Sequence, residues 1–220
     1  MATLQGIYSA SVVDTRDPDG LARVLVRLSG LPDTAGTTDV WARVATLMAG
    51  RNRGIYCLPE AGDEVLVAFE RGDIKLPYVV GALWNAKARP PVEPPTAVKL
   101  IRSRSGMTIR FRDDNNSLVI ETAGGQRITL QDGPGSVRAE DANGNLVMLG
   151  TSGVTVEAST SVTIRAGARV LLNASTVEVN STTATVNTQM VHFSGVVQCD
   201  TLIANSVISA SYSPGAGNVM

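Results

Sequence analysis

The stretch GVTVEASTSVTIRAGARVLLNA, residues 153–174, carries apolar pairs at Val154/Val156, Val162/Ile164 and Val170/Leu172, one pair every eight residues. Within a pair the alternation has period two, which places both side chains on one face of a β-strand. Ala, Ser, Thr and Gly fill the intervals and suit tight corners. Each octad therefore reads as one short strand plus one turn. A unit this small cannot bury its own apolar face and must stack on copies of itself. A single-chain parallel β-helix spends about eighteen or more residues per coil and fills its interior with many large side chains. This stretch has few. Three chains wound about one axis need only one octad per chain per coil, and they leave a narrow interior that Val, Ile and Leu fill. The expected fold class is all-β, with an intertwined trimeric β-helix (a β-prism) as its shaft. Val154, Val156, Val162, Ile164, Val170 and Leu172 are its expected core.

Upstream, IRSRSGMTIRFRDDNNSLVIETAGGQRITLQD has apolar pairs at Ile109/Phe111, Leu118/Ile120 and Ile128/Leu130, nine or ten residues apart. Asp-Asn and Gly-Gly turns separate them. The spacing then tightens through Val137, Leu146 and Val154 towards the octads. The acidic run Asp113, Asp114, Asn115, Asn116 lacks the glycine and terminal Glu of a calcium loop and reads as an Asx-rich turn.

Nearer the start, IYSASVVDTRDPDG and LARVLVRLSGLP alternate as two strands around a DPDG turn at residues 17–20. VWARVATL, EVLVAFERGD and KLPYVVGALWN supply three more. Five strands with Gly/Pro punctuation and no amphipathic helix fit a small Greek-key barrel of the OB type. RPPVEPP, residues 89–95, is a stiff extended connector. The expected organisation is an OB-fold collar over 1–88, a proline-rich connector over 89–99, the trimeric shaft over 100–195 and a tip or cap segment over 196–220.

The run CLPEAGDEVLVAFERGDIKLPYVVGALWN, residues 57–85, resembles the OB-domain signature of contractile-tail spikes, the baseplate assembly protein V family and the valine-glycine repeat spikes of type VI secretion. The resemblance rests on Pro59, Gly62 and Asp63 before a strand, Phe69, Gly72 and Asp73 after it, then Pro77, Gly81, Trp84 and Asn85, with Trp41 in the upstream run WARVA. It implies a homotrimeric central spike in the baseplate of a phage tail or tail-like particle. On sheath contraction such a spike perforates the target cell envelope, touching it transiently. It also implies a small conical tip protein at the C-terminal end, with the contact within 196–220. The chain opens directly on the barrel module, whereas the valine-glycine repeat spikes carry a fused hub domain, so a separate baseplate hub protein is expected at the OB end. Some members bind structural iron at the apex through a His-x-His motif. Here Val191-His192-Phe193-Ser194 lacks the second histidine, so no metal or other cofactor is expected.

The residues also limit the chemistry. His192 is the only histidine, which leaves no usual catalytic triad, and the chain is not expected to be an enzyme. The alternative, a β-helical polysaccharide-binding or degrading tail protein, would need a groove of clustered carboxylates, which the octads lack. A net charge of −1 and a pI near 5.9 argue against nucleic acid as a partner. Trp41 and Trp84 read as core or module-interface packing rather than as stacking platforms. Cys57 and Cys199 lie in different modules and read as buried apolar side chains. The N-terminus carries no secretion signal, so synthesis in the cytoplasm is expected.

Overall fold

The computed structural model describes residues 5–29, 39–91, 97–133 and 135–211. Parts of the expected connector (92–96) and tip segment (212–220) lie outside the described residues. The chain divides into two units, Met1–Thr163 and Ile164–Met220. The break falls inside the expected shaft.

The first unit opens with a closed five-stranded barrel. Strands β1 (Ile7–Asp14), β2 (Arg23–Leu28), β3 (Asp39–Val44), β6 (Glu64–Phe69) and β7 (Pro77–Leu83) close in the order β1-β2-β3-β7-β6, with β3 and β7 parallel and the other pairs antiparallel. Two short strands, β4 (Ala49–Gly50) and β5 (Arg53–Gly54), form a separate hairpin between β3 and β6. Alternation explains the barrel core. Val24 and Val26 from β2 and Val65 and Val67 from β6 point inward and are fully buried, with Ala10, Val12, Ala42 and Val79 around them. Phe69 closes one end, its ring edge-on to Tyr8 at 5.5 Å between centroids.

A single carboxylate holds the β1–β2 connection. Asp17 accepts hydrogen bonds from the backbone N–H of Asp19, Leu21 and Arg23 at 2.8–3.1 Å, and from the Arg23 guanidinium at 2.7 and 3.1 Å. Its side chain is almost wholly enclosed. The cluster keeps Ala22 at φ 58, a left-handed conformation unusual for a residue with a Cβ.

After the barrel come seven strands, β8 (Val98–Arg102), β9 (Thr108–Arg112), β10 (Ser117–Glu121), β11 (Arg127–Gln131), β12 (Ser136–Glu140), β13 (Leu146–Gly150) and β14 (Gly153–Glu157). They pair antiparallel in strict chain order, so the ladder over 98–157 is made within one chain. Its turns repeat every nineteen residues: Ser103, Thr122 and Asp141 each donate N–H to a carbonyl four residues on and accept from Gly106, Gly125 and Gly144. Those glycines take φ 90, 87 and 84. A Cβ at each would strain the turn. The acidic run 113–116 forms the β9–β10 turn, with Asn116 at φ 49.

From 158 to 211 no strand forms, and every described residue from 156 to 211 is exposed. The octads were expected as strands. A strand needs a backbone partner, and among the described residues this stretch finds none in its own chain.

The Arg23 hydrogen bonds, followed by the backbone N–H groups, hold the Asp17 carboxyl well below the usual carboxylate range. A group depressed in the folded state contributes stability that is fully present above its unfolded pKa of about 4 and is lost as pH falls below it. Asp17→Asn should therefore lower the barrel's thermal midpoint by several degrees at pH 7. The gap to the parent chain should narrow as the pH is taken from 5 towards 2 in a calorimetric series.

Candidate functional site

The register of the seven-stranded sheet lines up its apolar side chains in two columns on one face. One column runs Ile101, Ile109, Ile120, Ile128, Ala139, Val147, Val156. The other begins with Lys99, which pairs with the Asp113 carboxylate, and continues Phe111, Leu118, Leu130, Val137, Leu149, Val154. Directly opposed residues on neighbouring strands share a face and sit about 4.5–5.5 Å apart, so each column is a continuous apolar stripe. In the single chain most of these side chains are 37–70% exposed. A contiguous apolar surface of this extent marks an interaction face.

The opposite face is polar and cross-linked. Arg127 lies between Glu121 at 2.6 Å and Glu140 at 3.7 Å on the flanking strands, and Arg138 reaches Glu140 at 2.6 Å. These pairs fix the strand register more than they add stability, since exposed pairs contribute little.

The expected shaft-core residues divide between two environments. Val154 and Val156 end the two columns on β14, at 70% and 55% exposure. Val162, Ile164, Val170 and Leu172 lie in the strandless stretch and are exposed in the single chain. Leu146, the second upstream position, differs from the spacing: it stands on the polar face between Glu140 and Glu157, and β13 presents Val147 and Leu149 instead. The five-residue turn 141–145 sets that phase, because moving the strand start by one residue exchanges its faces. The nineteen-residue glycine period, Gly106, Gly125, Gly144, was the sequence signal that could have given it.

The barrel motif residues shape turns and the barrel's exit. Pro59 precedes a turn in which Gly62, at φ 97, is followed by Asp63, whose carboxylate accepts from the Glu60 N–H at 2.8 Å. Gly72 has φ 77, and Asp73 accepts from the Lys75 N–H at 2.9 Å. Pro77 opens β7, and Gly81 follows the point where the β6–β7 register shifts. Asn85 donates to Glu64 at 2.9 Å and accepts from the N–H of Lys87 and Ala88, turning the chain away from the barrel. Neither tryptophan is in the barrel core. Trp41 is half-buried under the Arg23 guanidinium at 5.7 Å, and Trp84 is 70% exposed. An interior packed with valine leaves no room for an indole. Cys57 and Cys199 are also exposed rather than buried, and both are free thiols. His192 lies in the exposed stretch, and among the described residues no group of three or more His, Cys, Asp or Glu side chains gathers to hold a metal. One imidazole per chain does not make the paired donor set of the iron motif.

Comparison with known proteins matches both halves of the chain. Residues 8–84 match the family described as the type VI secretion system/phage-baseplate injector OB domain, and residues 117–186 match the phage baseplate V C-terminal trimerisation domain. The chain is 37% identical over 78 residues to the type VI secretion system spike protein VgrG1b of Pseudomonas aeruginosa, and 33% identical over 78 residues to VgrG1a. It is 35% identical over 79 residues to VgrG5 of the same organism. These matches cover 33%, 33% and 36% of this chain but only 10%, 12% and 10% of those relatives.

The two columns identify the face that a trimerisation domain would bury. Ile128→Asp, in the middle of one column, should lower the trimer fraction sharply in light scattering, since burying such a side chain is worth about 1.5–3 kcal/mol per copy before the charge is counted. Thr129→Asp, one residue on and facing Arg138 on the polar side, should leave the mass unchanged.

Proposed function

Because the chain belongs to the family of baseplate protein V and the valine-glycine repeat spikes, we propose that it is the homotrimeric central spike of a contractile injection machine. The single observation that carries this reading is the pair of apolar columns, left uncovered in one chain and lying from β10 onward within the region that matches a trimerisation domain. Three copies with these faces turned inward would share one core. The exposed octads would then wind together, each strand taking its backbone partners from the other two copies.

The action is mechanical. Sheath contraction drives the spike forward, and a narrow prism hydrogen-bonded across three chains resists bending and unfolding as it perforates the target envelope. No bond of the target is broken by this chain. The barrel meets a separate hub protein, while residues 196–220 meet a small conical tip protein and His192 holds no metal. The chain, made in the cytoplasm, is assembled into the baseplate of a phage tail or tail-like injection particle.

Light scattering on the full chain should give three times 23.0 kDa. A stable folded monomer overturns the reading. Ile164→Asp would set three carboxylates near one axis, where desolvation and like-charge repulsion both oppose folding, so it should lower the trimer's thermal midpoint. Particles assembled with that variant should keep their sheath and lose target killing. Deleting residues 213–220 should leave the trimer intact and weaken recovery of the tip protein in a pull-down.

A further inference from the structure

A groove of about 430 Å³ lies between the β1–β2 turn and the loop that carries β4 and β5. Leu21, Met48, Ile55 and Tyr56 line it and are 45–77% exposed. Two arginines, Arg43 and Arg53, stand among these apolar walls, and Arg51 occupies the hairpin tip beside them.

These three stand with the arginines that, among the described residues, have no carboxylate partner. Seven others, Arg16, Arg23, Arg27, Arg104, Arg112, Arg127 and Arg138, each have a carboxylate within ion-pair distance. Among the described residues Arg43, Arg51 and Arg53 have none; Arg43 instead lies over the Tyr78 ring at 5.5 Å. Nearby carboxylates are already engaged, Asp17 and Asp19 with Arg23 and Glu60 with Arg104.

The walls are also built rather than loose. Ile55 N–H donates to the Met48 carbonyl at 3.0 Å and the Thr46 hydroxyl to the Ile55 carbonyl at 2.8 Å. A Cβ on Gly54 would stand 2.7 Å from the Met48 carbonyl oxygen, so only glycine lets the two strands approach this closely. Ala22 at φ 58 on one wall and Asn52 at φ 54 on the hairpin tip hold left-handed conformations, a kind of strain that clusters at binding sites.

We propose that this groove docks an extended acidic segment of a protein partner, its carboxylates meeting Arg43 and Arg53 and its aliphatic side chains filling the space between. The guanidinium fork matches a carboxylate in two parallel hydrogen bonds, and a mostly apolar groove with a few placed polar groups is a common form of binding site. A nucleic-acid strand is disfavoured, because it needs successive aromatic platforms along a basic track and this groove offers Tyr56 alone. The identity of the partner as another subunit of the particle rests on the spike reading; the chemistry of the groove does not.

The test uses the full chain and a fluorescent, end-capped eight-residue peptide alternating Asp and Leu, with a Lys/Leu peptide as counterpart. Anisotropy should show the Asp/Leu peptide bound about tenfold or more tightly than its counterpart, with an affinity that falls as salt is raised. Arg53→Glu, on the exposed hairpin, should weaken it by about tenfold, and Arg43→Glu with Arg53→Glu further. Arg102→Glu, on β8, should change nothing. In the Cys199→Ser chain the peptide should also slow maleimide labelling of Cys57, which lines the groove. Equal binding of the two peptides, indifference to Arg53→Glu, or tighter binding of an oligothymidine overturns the proposal. So does a Cys57 thiol already unreactive in the peptide-free trimer, which would put the groove between copies of the chain. A trimer that ignores the peptide defeats this inference alone; a monomer that binds it defeats the spike reading and leaves the groove standing.

Discussion

The register of the antiparallel ladder is the constraint from which the assembly follows. With every strand paired in chain order and every turn resetting the phase, most of the large apolar side chains of β8 to β14 fall on one face, and no other element of the described chain covers them. Shift one strand by a residue and its Ile or Leu moves among Arg127, Glu140 and Arg138. The cross-strand charges therefore act against misregister: a slipped β11 would lose the contacts of Arg127 to both neighbours while burying its polar side. The ladder creates an apolar surface too large for water, and the polar face prevents it from being hidden by inversion. What remains is burial against other copies.

Much of this is legible in the sequence. Period-two alternation gave the strands of the barrel and most of those in the sheet, and DPDG gave the first hairpin, because side-chain polarity and turn chemistry are local properties. The misreadings share a cause. Leu146 was assigned by apolar spacing alone, but its face depends on a turn whose length is set by Asp141 accepting from the N–H of Asn143 and Asn145. Ala22 adopts positive φ without being glycine, between the Leu21 and Arg23 N–H groups that donate to Asp17, a cluster that sequence does not announce. Trp84 and the two cysteines are apolar side chains left exposed in one chain, and sequence hydrophobicity cannot say whether a neighbour covers them.

The six octad residues illustrate the same division. Their spacing identifies strand-like units, a local fact. Whether Val162, Ile164, Val170 and Leu172 are buried depends on partners outside the chain, and one protomer leaves them in water. Val154 and Val156 differ only because β14 still has β13 to pair with.

Why the self-paired ladder stops at β14 can be argued from the turns. A hairpin needs residues that tolerate positive φ at its bend. Up to Gly153 each connection supplies one: Gly106, Asn116, Gly125, Gly135, Gly144 and Gly153. Beyond it glycine becomes scarce, with only Gly167 before Gly195, and Asn173, Asn180 and Asn187 are spaced among Ala, Ser and Thr corners rather than paired with glycine, so the connections no longer repeat the glycine turns of the sheet. The exit is also pinned. The Asn145 side-chain oxygen accepts from the Ser159 N–H at 3.1 Å while its amide donates to Asp141 at 2.7 Å, tying the residue just past β14 to the last five-residue turn. Backbone groups denied a partner in their own chain must find one in another or in water. The same scarcity of glycine turns that ends the sheet is what would favour pairing of the octads between copies.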